Sequence, residues 1–287
     1  VLASPQTLHW CPDTSLVRRL HRRGFDVYLL EHRGDRNALA GRGAGPCDLD
    51  AIVAHDLPAA LARVRRYSGH PRALWIGHGL GGQLLYAFLA RGGSHDLAAG
   101  VTLGAPVRFG PVASRARLLA RAARLLPSGL RLPARRLAQL AATAESGRLA
   151  AVGLGRDLDG PRARGLMVHG AADLPAAMLR QAARWLESGT LCDRDDRFDY
   201  VAALAGLRFP LLGVAAHGDP MGPPADTWPA LDALDGDGVE RIELDDSWGH
   251  LDLLVGRRAE TDVMPAVVDY VVSHRRGCRE PRGPAGR

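Results

Sequence analysis

Three stretches carry residues able to do acyl-transfer chemistry. The first is Gly77-His78-Gly79-Leu80-Gly81. An apolar run, Leu74-Trp75-Ile76, leads into it, and an apolar helical pattern through Leu84, Leu85, Tyr86, Phe88 and Leu89 leads out. Strand, sharp turn, helix is the setting of a nucleophile elbow, G-x-S-x-G, whose strained turn lifts a nucleophile above the strand ends. The frame here is complete except at its centre, which is Gly79 and not serine. Glycine adopts such a backbone more easily than serine but brings no atom that can attack a carbonyl. The amide that follows, Leu80 N–H, opens the helix and is suited to stabilise an oxyanion. The plain alternative is a glycine-rich strand–helix turn without chemistry.

The second stretch runs from His217 to Pro224 and holds Asp219. The third, Ser247-Trp248-Gly249-His250-Leu251-Asp252, holds His250. A histidine can act as general base and acid, and an aspartate can orient it and stabilise its imidazolium. Read singly, Asp219 is also an ordinary turn former and His250 an ordinary structural histidine. Ser247 and Cys192 are substitute nucleophiles by residue type alone; neither occupies an elbow. His169, in Met167-Val168-His169-Gly170, could face the site, though a structural role suits it better.

These stretches must be positioned by the elements around them. Asp13 or Thr14 can cap a helix through Leu16, Val17, Leu20 and His21, stopped by Gly24. Phe25 to Leu30 reads as a buried strand. A helix begins at Asp48 and holds Ile52, Val53, Leu57, Leu61 and Val64, and Pro58 should kink it. Strands follow at Arg72 to Ile76 and Gly100 to Gly104, then at Phe209 to Ala216 and Glu240 to Leu244, and a last helix covers about Pro265 to His274. Repeated strand–helix units predict an α/β fold, a mainly parallel sheet with helices on both faces. In such sheets functional groups gather in loops at the carboxyl ends of the strands.

The alternation breaks between Val107 and Leu207. There Leu118, Leu119, Leu125, Leu126, Leu137 and Leu140 recur with arginines at near-helical spacing, divided by Pro127, Pro133 and Pro161. The expected organisation is a core in two parts, 1–106 and 207–287, interrupted by a helical cap or lid at 107–206, with a disordered tail from about 276. The cap would cover an apolar or acyl substrate. Its basic amphipathic pattern is also of the kind that touches a membrane surface, but an ordinary amphipathic cap with solvated arginines is preferred.

Composition narrows the function. The 287 residues carry a formal charge of +6, and all 37 basic residues are arginine. Lysine is absent and Asn37 is the single asparagine, a bias expected of a GC-rich genome. The charge is therefore discounted as a sign of nucleic-acid binding, and no nucleic-acid motif accompanies it. Cys11, Cys47, Cys192 and Cys278 show no zinc or CxxC spacing and read as reduced structural cysteines. No metal or nucleotide motif is visible, so no cofactor is expected. No apolar run reaches transmembrane length. A cytoplasmic location is expected.

The chain order of nucleophile position, acid and histidine is that of the α/β-hydrolases, and the sequence resembles that superfamily, in particular its bacterial lipase- and esterase-like members. The resemblance rests on Gly-Phe-Asp-Val-Tyr-Leu-Leu with Arg33-Gly34, the elbow, Thr102-Leu103-Gly104-Ala105-Pro106, the loop from His217 to Pro224, and Gly249-His250-Leu251-Asp252-Leu253-Leu254. It implies His250 as general base, Asp219 as its orienting acid, Leu80 N–H as one oxyanion donor and His78 as a substrate contact. It also implies a central strand and a His-Gly-type loop before the first helix. Val1-Leu2-Ala3-Ser4-Pro5 looks like the remainder of that loop, with Leu2 as the second oxyanion donor. An N-terminal truncation is thus expected, leaving a gap between the Phe25 and Arg72 strands. By this resemblance the chain is a carboxylic ester hydrolase or lipase relative, impaired by Gly79. The other reading is a pseudoenzyme that binds a small acyl ester or apolar ligand. An acyltransferase of the polyester-synthase kind would need cysteine at position 79 and is weaker.

Overall fold

The computed structural model describes residues 5–9, 11–33, 45–110, 122, 124–127, 129–133, 136 and 155–279, without the side chains of residues 5, 6, 167 and 169. Six strands occur among them in chain order: β1 (Ala73–His78), β2 (Leu97–Leu103), β3 (Arg131–Leu132), β4 (Leu174–Pro175), β5 (Leu211–Ala216) and β6 (Val239–Leu244). The main sheet has the order β1-β2-β5-β6, and every pairing in it is parallel. β3 and β4 form a separate two-residue antiparallel ladder.

The central strands β2 and β5 are buried throughout, whereas β1 and β6 are partly exposed. Parallel strands covered on both faces read as continuous apolar runs, as Leu211 to Ala216 does. Two apolar cores lie on the two faces. One holds Leu84, Leu85, Phe88, Leu97, Met178, Trp185, Leu211 and Leu231, the other Ala99, Val101, Leu103, Val214, Leu254, Val267 and Val271. Alternate residues of β2 and β5 feed the second core, the period-two pattern of a strand.

Helices α1 (Leu16–Arg22), α2 (Leu49–Ala51), α3 (Leu57–Ser68) and α4 (Leu80–Ala90) precede β2. After it come α5 (Gly160–Gly165), α6 (Ala176–Ser188), α7 (Pro224–Asp232), α8 (Asp252–Val255), α9 (Ala259–Asp262) and α10 (Met264–His274). The first cap is one residue later than expected: Ser15 Oγ accepts the Arg18 N–H at 3.2 Å. Asp48 caps α2 as expected, accepting the Ala51 N–H at 2.8 Å. Pro58 lies in the first turn of α3. The turn before it, Ile52–Asp56, widens to π-helical geometry, and Leu57 N–H bonds to the Ile52 carbonyl. That widening relieves the clash of the proline ring with the preceding turn.

Phe25 to Leu30 corrects the sequence reading. The segment joins no ladder, and Tyr28 and Leu29 are 46% and 37% exposed. Phe25 and Val27 still pack on one core and Leu30 on the other. The reason is spatial. Strands pair at about 4.8 Å, but a cavity of about 1500 Å³ is lined by Phe25 to His32 and by Ala73 to His78. With no partner strand in reach among the described residues, this apolar run stays outside the sheet, and β1 is the edge of the described sheet.

In the 107–206 stretch, Leu118, Leu119, Leu137 and Leu140 lie outside the described residues. Leu125 is 86% exposed. α6 buries Met178, Gln181 and Trp185 on one face and ends at Gly189 in left-handed geometry. The start of the tail, through Cys278, forms a short 3₁₀ turn, and residues 280–287 lie outside the described ones. Among the described residues no helix is long and apolar enough to cross a membrane.

Candidate active site

All four strands of the main sheet end on the same side, and the loops that leave them hold the candidate residues. β1 ends at His78 and turns through Gly79 into α4. Gly79 has φ +51° and ψ −114°, in the positive-φ region that costs other residues strain. A side chain at Gly77 would meet the Gly81 carbonyl group at 2.3 Å, so this glycine permits the close approach of strand and helix. Gly79 N–H bonds to Leu103 O at 2.9 Å, and its carbonyl accepts from Gly82 and Gln83.

The three distant stretches converge. His250 Nδ1 lies 2.8 Å from Asp219 Oδ2. The other aspartate oxygen accepts the N–H groups of Met221 at 2.7 Å and Gly222 at 3.0 Å. Asp219 and His250 are 1% and 7% exposed. A β-carbon on residue 79 would stand 3.2 Å from His250 Nε2 and 3.5 Å from Cε1, with no other described atom beyond its chain neighbours within 4 Å. The imidazole therefore faces the spot where an elbow side chain would project.

Charge follows from this geometry. Burial alone would raise the Asp219 carboxyl; the hydrogen bond and charge of His250, with the two main-chain N–H groups, outweigh it and lower the pKa. An ionised Asp219 fixes the proton of neutral His250 on Nδ1 and leaves a lone pair on Nε2. Leu80 lines the same cavity, and its N–H lies in the first turn of α4, where no intrahelical acceptor precedes it.

His78 sits at the same centre. Its Nε2–H donates to the His250 main-chain carbonyl at 2.9 Å, and the two rings lie 4.2 Å apart. Burial and the neighbouring His250 push its pKa down to about 3, so it is neutral near pH 7. Leu2 lies outside the described residues, as does the side chain of His169. Ser247 is exposed and bonds to Asp245 and Arg258. Cys192 is buried, and burial pushes its thiol up to about 12, which suppresses the thiolate a nucleophile needs.

Two further residues shape the site that composition and spacing did not single out. Asp252 is fully buried and accepts the N–H groups of Gly249 at 2.7 Å, Arg156 at 2.7 Å and Asp157 at 3.1 Å. It holds the loop that carries His250 against the 155–157 segment. Burial raises its pKa despite those three donors. Gly104 lies beneath the pair: a side chain there would meet Asp219 Oδ2 at 2.8 Å and His250 Nδ1 at 3.1 Å. Both residues lie in quoted motifs, but their contacts run to chain segments that spacing cannot name.

A family model described as the alpha/beta hydrolase fold matches residues 5–256. The chain belongs to that family. Solved structures similar to it include a monoacylglycerol lipase from Paleococcus ferrophilus, at a TM-score of 0.63 and 16% identity over 90% of this chain and 88% of that one. An esterase from Exiguobacterium antarcticum gives 0.60 and 14%, over 94% and 88%. A bromoperoxidase from Bacillus anthracis gives 0.56 and 13%, over 94% and 88%. At these identities the likeness is one of fold. A search of the curated proteins finds no match.

Proposed function

We propose that this chain is a relative of carboxylic ester hydrolases whose acyl-transfer centre keeps Asp219 and His250 and lacks the attacking hydroxyl. The observation that carries this reading is the 3.2 Å between His250 Nε2 and the β-carbon position of residue 79, beside the 2.8 Å bond from His250 to Asp219. In this role His250 would take the proton of a nucleophile and return it to the leaving alcohol, with Asp219 stabilising the imidazolium. Leu80 N–H would be one oxyanion donor, and Leu2 keeps the second donor role that the resemblance implies. His78 would hold the His250 loop. The substrate would be a small acyl ester, and residues 107–206 would form the cap over it. Leu166, Leu174 and Met178 support the cap, since they line the same cavity as Gly79 and His250.

The second reading is a non-catalytic protein that binds an apolar or acyl ligand. The cavity of about 1500 Å³, lined mainly by leucines among its apolar residues, favours it. Both readings are tested by hydrolysis of p-nitrophenyl butyrate by the wild type, Gly79→Ser and Gly79→Ser/His250→Ala. The wild type is expected near background, with Gly79→Ser at least about 100-fold faster and the double variant again at background. A Gly79→Ser chain that folds, binds a fluorescent fatty acid and remains inert would favour the binding protein.

A further inference from the structure

The space beside His250 is open in a way that has its own chemistry. The imidazole is more than nine-tenths buried and bonded to Asp219 on Nδ1. Among the described residues its Nε2 makes no protein hydrogen bond, and it points at the β-carbon position of residue 79, which no other described atom beyond the glycine's chain neighbours approaches within 4 Å. That spot borders the first turn of α4 and opens to an apolar cavity. A buried base, an N–H donor and room for a few heavy atoms are the requirements for deprotonating a small nucleophile.

We propose that the chain transfers the acyl group of an activated ester directly to a small neutral nucleophile lodged where residue 79 has no side chain. The inference rests on the ester-hydrolase reading of the same site. The nucleophile's attacking atom, nitrogen in hydroxylamine, forms a bond to the ester carbonyl carbon while His250 Nε2 takes its proton. The tetrahedral intermediate collapses, the bond to the leaving oxygen breaks, and His250 returns the proton to that oxygen. The products are the new acyl compound and the free alcohol, with no redox change. Hydroxylamine gives a hydroxamate, whereas water, the weaker nucleophile, leaves hydrolysis near background.

The experiment follows p-nitrophenyl butyrate and hydroxylamine with the purified wild-type chain, reading p-nitrophenol release and butyrohydroxamate together. Hydroxamate formation is expected to exceed the protein-free rate by about 100-fold. His250→Gln, checked for folding by circular dichroism, should abolish the excess. Hydroxamate formation no faster than in solution, or equal in His250→Gln, overturns the proposal. Gly79→Ser separates the two readings. If it gains His250-dependent hydrolysis while the wild type shows no dependence on hydroxylamine, this inference falls and the ester-hydrolase reading stands. If it too is inert, both fall.

Discussion

His78 and His250 are joined through the main chain: the imidazole N–H of one donates to the carbonyl of the other at 2.9 Å. The elbow and the histidine loop, far apart in sequence, are thereby fixed to each other. The cost is a second imidazole that stays neutral in the fold, with its pKa pushed from 6.5 to about 3.

This makes stability pH-dependent with a defined sign. The folded pKa of His78 is lower than the unfolded one, so below about pH 6.5 the unfolded chain binds a proton that the fold refuses. Stability should fall as pH drops from 6.5 toward 3. Urea midpoints at pH 7 and pH 5 should differ more for the wild type than for His78→Asn, which has no titrating group there. Equal shifts in the two proteins would refute the assignment.

Asp219 acts in a lower window. Its folded pKa is below the usual carboxylate value, so its ionised form stabilises the fold above about pH 3.8, and that contribution is lost as pH falls through the folded value. Asp219→Asn should lose stability at pH 7 and show a weaker further loss below pH 4 than the wild type, measured by the same denaturation series.

Gly79→Ser should trade stability for chemistry. A residue other than glycine at φ +51° carries strain of about 1–3 kcal/mol. The variant should unfold at lower urea by that amount while its esterase rate rises. A gain in rate without a loss of stability would mean that the elbow relaxes on substitution.

Asp252→Ala should be costly. It removes the acceptor of three main-chain N–H groups in a fully buried position, a loss of roughly 2–4 kcal/mol. In the Gly79→Ser background it should lower kcat by loosening the His250 loop.

A pair of leucines calibrates these losses. Leu85 is fully buried in the first core, and Leu85→Ala should cost about 2–5 kcal/mol. Leu125 is 86% exposed, and Leu125→Ala should stay within about 0.5 kcal/mol. Thermal unfolding of both variants checks the pair.

Most of the sheet was legible from local pattern. Apolar runs bounded by turns marked β1, β2 and β5, and burial on both faces leaves Thr102 as the single polar side chain of the central strands. The same reasoning failed at Phe25 to Leu30. Apolar content favours burial, but a strand needs a neighbour to receive its hydrogen bonds, and the space beside β1 holds a cavity. The proline at position 58 was visible, but its accommodation by a π-turn was not, because that depends on how α2 and α3 are held against the core.

At the site, residue identity settles one matter outright: with glycine at position 79, no fold can provide a hydroxyl there. The order of elbow, aspartate and histidine, and the family they resemble, could likewise be read along the chain. Whether Gly79, Asp219 and His250 meet could not, since their separation in space is set by the register of four strands and the packing of the loops between them. Asp252 and Gly104 take their roles from contacts with segments remote in the chain. Local periodicity encodes elements, and only the packed sheet brings their ends to a common centre.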